Sequence, residues 1–131
     1  MSNQVWRFSY SEDTLKYILD SGKLMFPEMN PHTSGKYNTV EKVISDMSEE
    51  ALIILANFKA YENTAVVRAA GKVTGINGSD VFVTWRKVVP SLSLHPHKIG
   101  ADQWVKENVF LINGPRAKQF KLELLKKKLF G

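Results

Sequence analysis

Residues 65–89 have the sequence AVVRAAGKVTGINGSDVFVTWRKVV, and this stretch decides the fold. Two runs rich in β-branched residues, Ala65 to Ile76 and Val81 to Val89, flank the polar segment 77–80. That segment begins with Asn-Gly, the strongest short-range indication of a β-hairpin, because both residues tolerate the positive φ angles of the favoured turn. The stretch therefore predicts an antiparallel hairpin whose second strand ends at Pro90.

Further strands are predicted on both sides of the hairpin. Ala51 to Phe58 is an apolar run with two isoleucines at its centre, which favours a buried strand, although a helix beginning at 48–50 fits the same run. Val5 to Phe8 predicts a first strand, Lys23 to Phe26 a short strand or extended passage, and Val109 to Ile112 a last strand.

Two short helices are predicted between the first strand and the buried run. Residues 15–19 carry the apolar face of the first helix, which is capped by Ser9 or Ser11 and ends at Gly22. Thr39 caps the second helix.

A loop and a terminal helix complete the predicted elements. Residues 27–38 are rich in Pro, Gly, Ser and Asn, so we expect this loop to be mobile without ligand and to border the functional site. Asn113 to Pro115 begins the last helix, whose Phe120, Leu124 and Leu125 face inward while its lysines stay in solvent.

Mixed strands with helices packed around them predict an α+β domain. The number of strands suits a PUA-like arrangement, a strongly curved mixed sheet or a small open β-barrel flanked by helices. At 131 residues the chain has the common size of one domain and enough length to bury a core. No internal repeat or linker divides it, so we expect a single domain over residues 1–131.

Basic residues are concentrated in the last two fifths of the chain. Residues 1–80 hold 8 Lys/Arg and 10 Asp/Glu, a net charge of −2, whereas residues 81–131 hold 10 Lys/Arg and 3 Asp/Glu, a net charge of +7. A concentrated basic surface is typical of proteins that bind a phosphate backbone, with an affinity that falls as salt rises. A solvated, lysine-rich terminal helix would give the same composition, so both interpretations stay open.

Several other classes of protein are disfavoured by the composition. The chain has no cysteine, which removes disulfides, thiolate metal sites and cysteine nucleophiles. The longest unbroken apolar run, 51–56, is far shorter than the ~20 residues that span a bilayer. The first residues lack the basic and apolar regions of a secretion signal, so we expect a cytoplasmic protein without membrane contact.

The segment SYSED at 9–13 resembles the opening of the YTH domain, a PUA-like fold that binds N6-methyladenine in RNA, with Phe8 in place of a lysine. The resemblance continues in order through Val66 to Val73, Phe82 to Trp85 and Ala117 to Gln119. The related EVE domains share this layout, as do N-terminal modules of McrB-type restriction proteins that bind modified DNA bases. The resemblance implies a PUA-like domain that takes a modified or flipped base into an aromatic pocket.

Two departures limit what this resemblance implies for the site. YTH domains place one tryptophan of their base cage just after the first helix, where this chain has Leu24-Met25-Phe26. A second cage tryptophan lies in a long insertion after the central strand, where this chain has only the Asn77-Gly78 turn. The resemblance therefore carries over the scaffold but not the YTH cage.

A base pocket needs flat side chains for stacking and polar groups for the base edge. Trp104 lies in a polar stretch and is expected to face a ligand, whereas Trp85 alternates with Phe82 on a strand and is expected in the core. The predicted base-binding set contains Trp6, Ser9, Tyr10, Phe26, Asn57, Phe58, Tyr61 and Trp104. Trp6 fits the core as well as the pocket wall, and Ser9 fits a helix cap equally well.

The predicted phosphate contacts are basic residues near the ends of the elements. They are Lys59, Arg86, Lys87, Lys98, Arg116 and Lys118. The partner implied is DNA or RNA, with a fused or associated effector domain supplying any activity.

Catalytic machinery is not predicted, and neither is a metal or a cofactor. His95 and His97 lie two residues apart on an irregular segment without a carboxylate at ligand spacing. An alternative is a small amidohydrolase resembling the ASCH group, in which Lys59, Glu62 and Thr64 would converge in one pocket. A further alternative is a protein-binding adaptor with a basic terminal helix.

Overall fold

Five strands form one mixed sheet in the computed structural model, which describes residues 4–27, 29, 36–95, 104–112 and 120–130. The order across the sheet is β4-β3-β2-β1-β5. The strands are β1 (Val5–Phe8), β2 (Leu52–Lys59), β3 (Thr64–Asn77), β4 (Asp80–Leu94) and β5 (Val109–Ile112).

Only β1 and β2 run parallel, and all other neighbouring pairs are antiparallel. A parallel pair requires a crossover, which the chain makes through two short helices, α1 (Leu15–Ser21) and α2 (Val40–Asp46). The prediction of an α+β fold is confirmed. The predicted strong curvature or barrel is wrong, because the sheet is open and uncurled, with β4 and β5 at opposite edges.

The predicted hairpin is confirmed as β3 and β4. Asn77 pairs with Asp80, and Gly78 adopts a φ of 63°, which a side-chain-bearing residue rarely accepts. The prediction that the second strand ends at Pro90 is wrong, because β4 continues to Leu94. Proline is tolerated here because β4 is an edge strand and carries a bulge at this point.

The bulge in β4 is large and shapes the surface. Val67 pairs with Leu92 and Ala69 pairs with Lys87. Residues 88–91 of β4 therefore lie opposite a single residue of β3, Arg68. The pairing of β3 with β2 also shifts at this level. Bulges bend a strand and redirect side chains, and this one turns the edge of the sheet beside Arg68.

The helix boundaries follow the sequence in part. α1 ends at Gly22, with a φ of 67°, as predicted, but its N-cap is Thr14 rather than Ser9 or Ser11. Thr39 caps α2 as predicted, since its hydroxyl accepts a hydrogen bond from the Lys42 N–H at 3.3 Å. The predicted strand at Lys23 is reduced to a single bridge with Phe82.

A terminal helix, α3 (Leu122–Phe130), lies on the opposite side of the sheet from α1 and α2. Leu122 and Leu125 are buried, but Leu124 is 64% exposed, so the prediction that Leu124 faces inward is wrong. The predicted start of this helix at 113–115 lies outside the described residues.

Each face of the sheet has its own apolar core, because successive side chains of a strand point to opposite faces. The face covered by α1 and α2, called the α1–α2 face, includes Trp6, Phe8, Ile53, Val83 and Trp85. The face covered by α3, called the α3 face, includes Val5, Ile54, Val67, Phe110 and Ile112. Trp85 is in the core, as predicted.

Gly71 allows the close approach of Val83 and Trp85 to β3, which gives a first testable prediction. A Cβ atom there would clash with the Val83 side chain and lie 2.6 Å from Trp85 Cε3. We expect Gly71→Ala to lower the free energy of unfolding by about 1–3 kcal/mol, measured by urea denaturation. Gly75→Ala is the matched control, since its nearest neighbour would be Phe82 Cδ2 at 3.9 Å. Equal stability of the two variants would contradict this packing.

Candidate functional site

Trp104 is buried in the core of the α3 face, with only 4% of its surface exposed. Its ring packs edge-to-face against Phe110, with centroids 5.0 Å apart, and lies beside the Phe58 ring at a tilt of 37°, with centroids 6.5 Å apart. The prediction that Trp104 lies at the surface facing a ligand is therefore wrong. Because only 4% of its surface is exposed, the ring has no free face on which a base could stack.

The physical reason for this burial is Arg7, which the sequence analysis did not single out. Its guanidinium lies 5.0 Å from the Trp104 ring centroid and 5.6 Å from that of Phe110. Its Nε donates to the Ala56 carbonyl at 2.9 Å and its Nη1 to the Glu107 carbonyl at 2.6 Å. Burial lowers the pKa of Arg7 to about 10, so it stays charged at neutral pH while it fastens residues 104–107 to β1.

The predicted aromatic pocket is divided between the two faces of the sheet. Trp6 is fully buried on the α1–α2 face, where it packs against Tyr37 with centroids 4.7 Å apart. Phe26 is half-buried on the same face and packs against Phe8. Phe58 packs with the α3 face, and Tyr61, 86% exposed, lies on the turn after β2. These rings do not line one pocket among the described residues.

Tyr10 and Asn57 do come together, at the carboxyl ends of the parallel strands β1 and β2. The Asn57 amide donates to the Tyr10 carbonyl at 2.8 Å and accepts from the Tyr10 N–H at 3.2 Å. The predicted Ser9 lies beside them and donates its backbone N–H to the Asn108 carbonyl at 2.9 Å. Through these two hydrogen bonds Asn57 ties the segment between β1 and α1 to β2.

The side chain of Tyr10 belongs to a polar cluster with Glu12 and Arg68. The Tyr10 hydroxyl donates to Glu12 Oε1 at 3.1 Å, and Arg68 Nη1 donates to the same oxygen at 3.0 Å. Burial, the charge of Glu12 and this hydrogen bond raise the pKa of Tyr10 to about 12. The hydroxyl therefore stays protonated far above neutral pH and can donate to the Glu12 carboxylate.

This cluster borders a cleft of about 520 Å³ between α1 and the β4 bulge, hereafter the α1 cleft. Leu15, Leu19 and Val88 give it apolar walls. The other lining residues are Glu12, Lys16, Asp20, Arg68, Lys87 and Val89. The α1 cleft therefore combines an apolar floor with fixed charges of both signs at its mouth.

A second and larger depression, about 710 Å³, runs between the end of β4 and α3, hereafter the α3 groove. Its apolar lining is Val88, Pro90, Leu92, Leu94, Phe120, Leu124 and Leu125. Its polar lining is Ser91, Ser93, His95, Lys121 and Lys128, with no carboxylate among the described residues. Val88 lines both depressions, so the α1 cleft and the α3 groove both border the β4 bulge.

Lys121 has an unusual backbone at the mouth of the α3 groove. It is one of three described non-glycine residues with positive φ, at 57°. Such a conformation costs a lysine of order 1 kcal/mol and is more frequent at functional sites. The backbone here fixes where α3 begins and places the Lys121 side chain at the groove.

The basic residues that were predicted to contact phosphates do not lie on one surface. Lys59, Arg86 and Lys87 are exposed. Arg86 pairs with Ala70 of the α3 face, whereas Lys87 pairs with Ala69 of the α1–α2 face and lines the α1 cleft. The remaining predicted contacts, Lys98, Arg116 and Lys118, lie outside the described residues.

The residues of the amidohydrolase alternative lie together on the turn between β2 and β3. Lys59 and Glu62 are exposed, and the half-buried Thr64 donates its hydroxyl to the Glu62 carbonyl at 2.9 Å. His95 is exposed in the α3 groove, while His97 lies outside the described residues.

In the part of the chain that the structure describes, no three His, Asp or Glu side chains come together as a metal site would need. No described helix is long and apolar enough to cross a bilayer.

The predicted mobile loop 27–38 is described only in part. Residues 28 and 30–35 lie outside the described residues, so its mobility stays a prediction. Tyr37, at its end, is buried, and its hydroxyl donates to Asp46 Oδ2 at 2.8 Å.

The site residues that sequence reasoning missed are Glu12, Lys16 and Arg68 at the cleft, and Lys121, Leu124 and Lys128 at the groove. The net charge of +7 in residues 81–131 indicated a basic surface but not its position. The chain matches no family model, and neither the curated proteins nor the solved structures contain a match.

Proposed function

We propose that this protein binds a single strand of nucleic acid along the α3 groove. The observation that carries the proposal is the combination of an apolar floor with a lysine rim that contains no carboxylate among the described residues. Bases present flat apolar surfaces, and phosphates carry one negative charge per nucleotide, so a strand matches both parts of the groove.

The charge around the groove supports this choice of ligand. Lys121 and Lys128 line the groove, and Arg86 lies on the same face of β4. The hydroxyls of Ser91 and Ser93, on the exposed edge strand, are further donors for phosphate oxygens. Binding would release counterions condensed on the strand, which makes the affinity dependent on salt.

A single strand fits better than a duplex because the apolar floor needs exposed bases to contact. Leu124 is 64% exposed, and Leu92 and Phe120 are half-buried, which provides an accessible apolar surface. In a duplex the base faces are stacked on one another and unavailable to such a floor.

The sequence resemblance to YTH and EVE domains makes the proposal more specific. On this basis we propose a PUA-like domain that takes up a modified or flipped base. Trp6 and Trp104 do not contribute stacking surfaces to this version of the proposal, since both are buried. A fused or associated effector protein remains the proposed source of any activity that accompanies binding.

Mapping by NMR tests the location of the proposed site. On addition of a ten-residue oligothymidylate, we expect the amide resonances of Ser91 to His95 and of α3 to shift most. Resonances of α2, on the opposite face, serve as the internal control and should move little. Shifts confined to α2, or no shifts at millimolar oligonucleotide, would overturn the proposal.

A further inference from the structure

We infer that the α1 cleft binds one guanine base of the strand whose backbone lies in the α3 groove. The inference rests on the proposed function, and it names the base that the protein selects. It follows from how Glu12 and Arg68 are arranged and from the β4 bulge that borders both depressions.

Glu12 and Arg68 present an acceptor and donors side by side at the mouth of the cleft. Glu12 Oε1 already accepts from Tyr10 and from Arg68 Nη1, whereas Oε2 has no hydrogen bond to a described residue. Arg68 likewise keeps its Nε and Nη2 hydrogens without a partner among the described residues. Because Arg68 Nη1 donates to Oε1, the free acceptor Oε2 lies beside the free donors of the guanidinium.

Guanine matches this order of groups better than the other bases. Its N1–H and N2 amine are neighbouring donors that can converge on the free Oε2, and the adjacent O6 and N7 are acceptors for the free donors of the guanidinium. Thymine and uracil offer a single donor beside a carbonyl and lack both the amine and N7. Adenine and cytosine offer one amine, which flanks ring acceptors that a carboxylate repels.

The walls of the cleft suit the faces of a base. Leu15, Leu19 and Val88 provide apolar surface, and the volume of about 520 Å³ accommodates a purine. Lys16 and Lys87 are exposed at the rim, where they can contact the phosphates on either side of the base.

The β4 bulge lies between the cleft and the groove. Val88 contributes to both depressions, and residues 88–91 form the edge over which a strand would pass. A strand in the groove that turns over this edge would place a base beside Glu12 and Arg68. Extruding one base from a single strand is inexpensive because no base pair is broken.

The test uses nine-residue oligothymidylates in which the central base is thymine, guanine, adenine, cytosine, hypoxanthine or 7-deazaguanine, with binding followed by fluorescence anisotropy. We expect the guanine oligonucleotide to bind about tenfold more tightly than the thymine one. Hypoxanthine, which lacks the N2 amine, and 7-deazaguanine, which lacks N7, should each lose part of this preference.

The variant that tests the cleft is Glu12→Gln, and Asp13→Asn is its matched control. Asp13 is exposed, adjacent and of the same charge, but it does not line the cleft. We expect Glu12→Gln to remove the preference for guanine, so that the ratio of the guanine affinity to the thymine affinity falls from about ten to about one. Asp13→Asn should keep the preference, and melting curves of both variants check that the fold persists.

The outcomes separate the two proposals. A preference for guanine that Glu12→Gln abolishes supports the inference. Equal binding of all central bases, or a guanine preference that Glu12→Gln leaves intact, overturns the inference while the proposed function stands. Absence of binding to every oligonucleotide overturns the proposed function and the inference with it.

Discussion

Replacing Trp104 by alanine is expected to lower the free energy of unfolding by about 3–5 kcal/mol. The ring is 4% exposed and contacts Phe58 and Phe110, so its removal leaves a large cavity in the α3 face. The loss also exposes the Arg7 guanidinium to an emptied space and removes its closest aromatic neighbour. The effect should exceed that of any surface substitution in the chain.

Urea denaturation of the variant measures this effect, with Val105→Ala as the control. Val105 is the next residue and is 61% exposed, so its truncation should change the stability by no more than about 0.5 kcal/mol. If Trp104→Ala unfolds at the same urea concentration as the parent, the ring is not packed as the structure has it.

The double charge reversal Lys121→Glu, Lys128→Glu is expected to weaken oligothymidylate binding by about 2–3 kcal/mol, on the order of a hundredfold. Both lysines line the α3 groove, and two attractive contacts with phosphates become repulsive. Glutamate and lysine have similar difficulty with the positive φ at position 121, so the backbone strain is matched in parent and variant.

The control for this variant is Lys36→Glu, Lys42→Glu, which changes the net charge by the same amount. Lys42 lies on α2, and Lys36 lies within 3.9 Å of Asp46 on the same helix, so both are on the side away from the groove. This control should lose much less affinity, because exposed charges separated by more than a Debye length are screened. An equal loss in both variants would indicate a general effect of net charge instead of a groove.

The hairpin and the buried strand β2 could be predicted because their determinants are local. Gly78 after Asn77 favours the turn, and the run from 51 to 58 has the length and β-branched content of a strand. Thr39 was predicted as a cap for the same reason, since a capping hydroxyl bonds within its own turn.

The position of Trp104 could not be predicted from its neighbours. The surrounding sequence, Asp-Gln-Trp-Val-Lys, is polar and indicates a surface segment. The ring is buried because Arg7, almost a hundred positions earlier, donates a hydrogen bond to the Glu107 carbonyl. The Arg7 guanidinium also lies over the Trp104 ring. Contacts at this sequence separation leave no local pattern.

The error in the predicted pocket has a simpler cause. Asn57 and Phe58 are adjacent on β2, and adjacent strand residues point to opposite faces of a sheet. The alternation of side chains along β2 therefore puts Asn57 and Phe58 on opposite faces of the sheet, so they cannot line one pocket. Arg68, in contrast, reaches Glu12 through a break in the register of β3 that the sequence does not indicate.

The measurement that tests the central claim most directly is the affinity for oligothymidylate as a function of salt, in the parent and in the Lys121→Glu, Lys128→Glu variant. With about three phosphate contacts, log affinity against log salt should fall with a slope of about −2 in the parent. Loss of two contacts should bring the slope of the variant to about −0.7. Identical slopes in the two proteins, or an affinity of the parent that stays level as salt rises, would contradict binding of a nucleic-acid strand in the α3 groove.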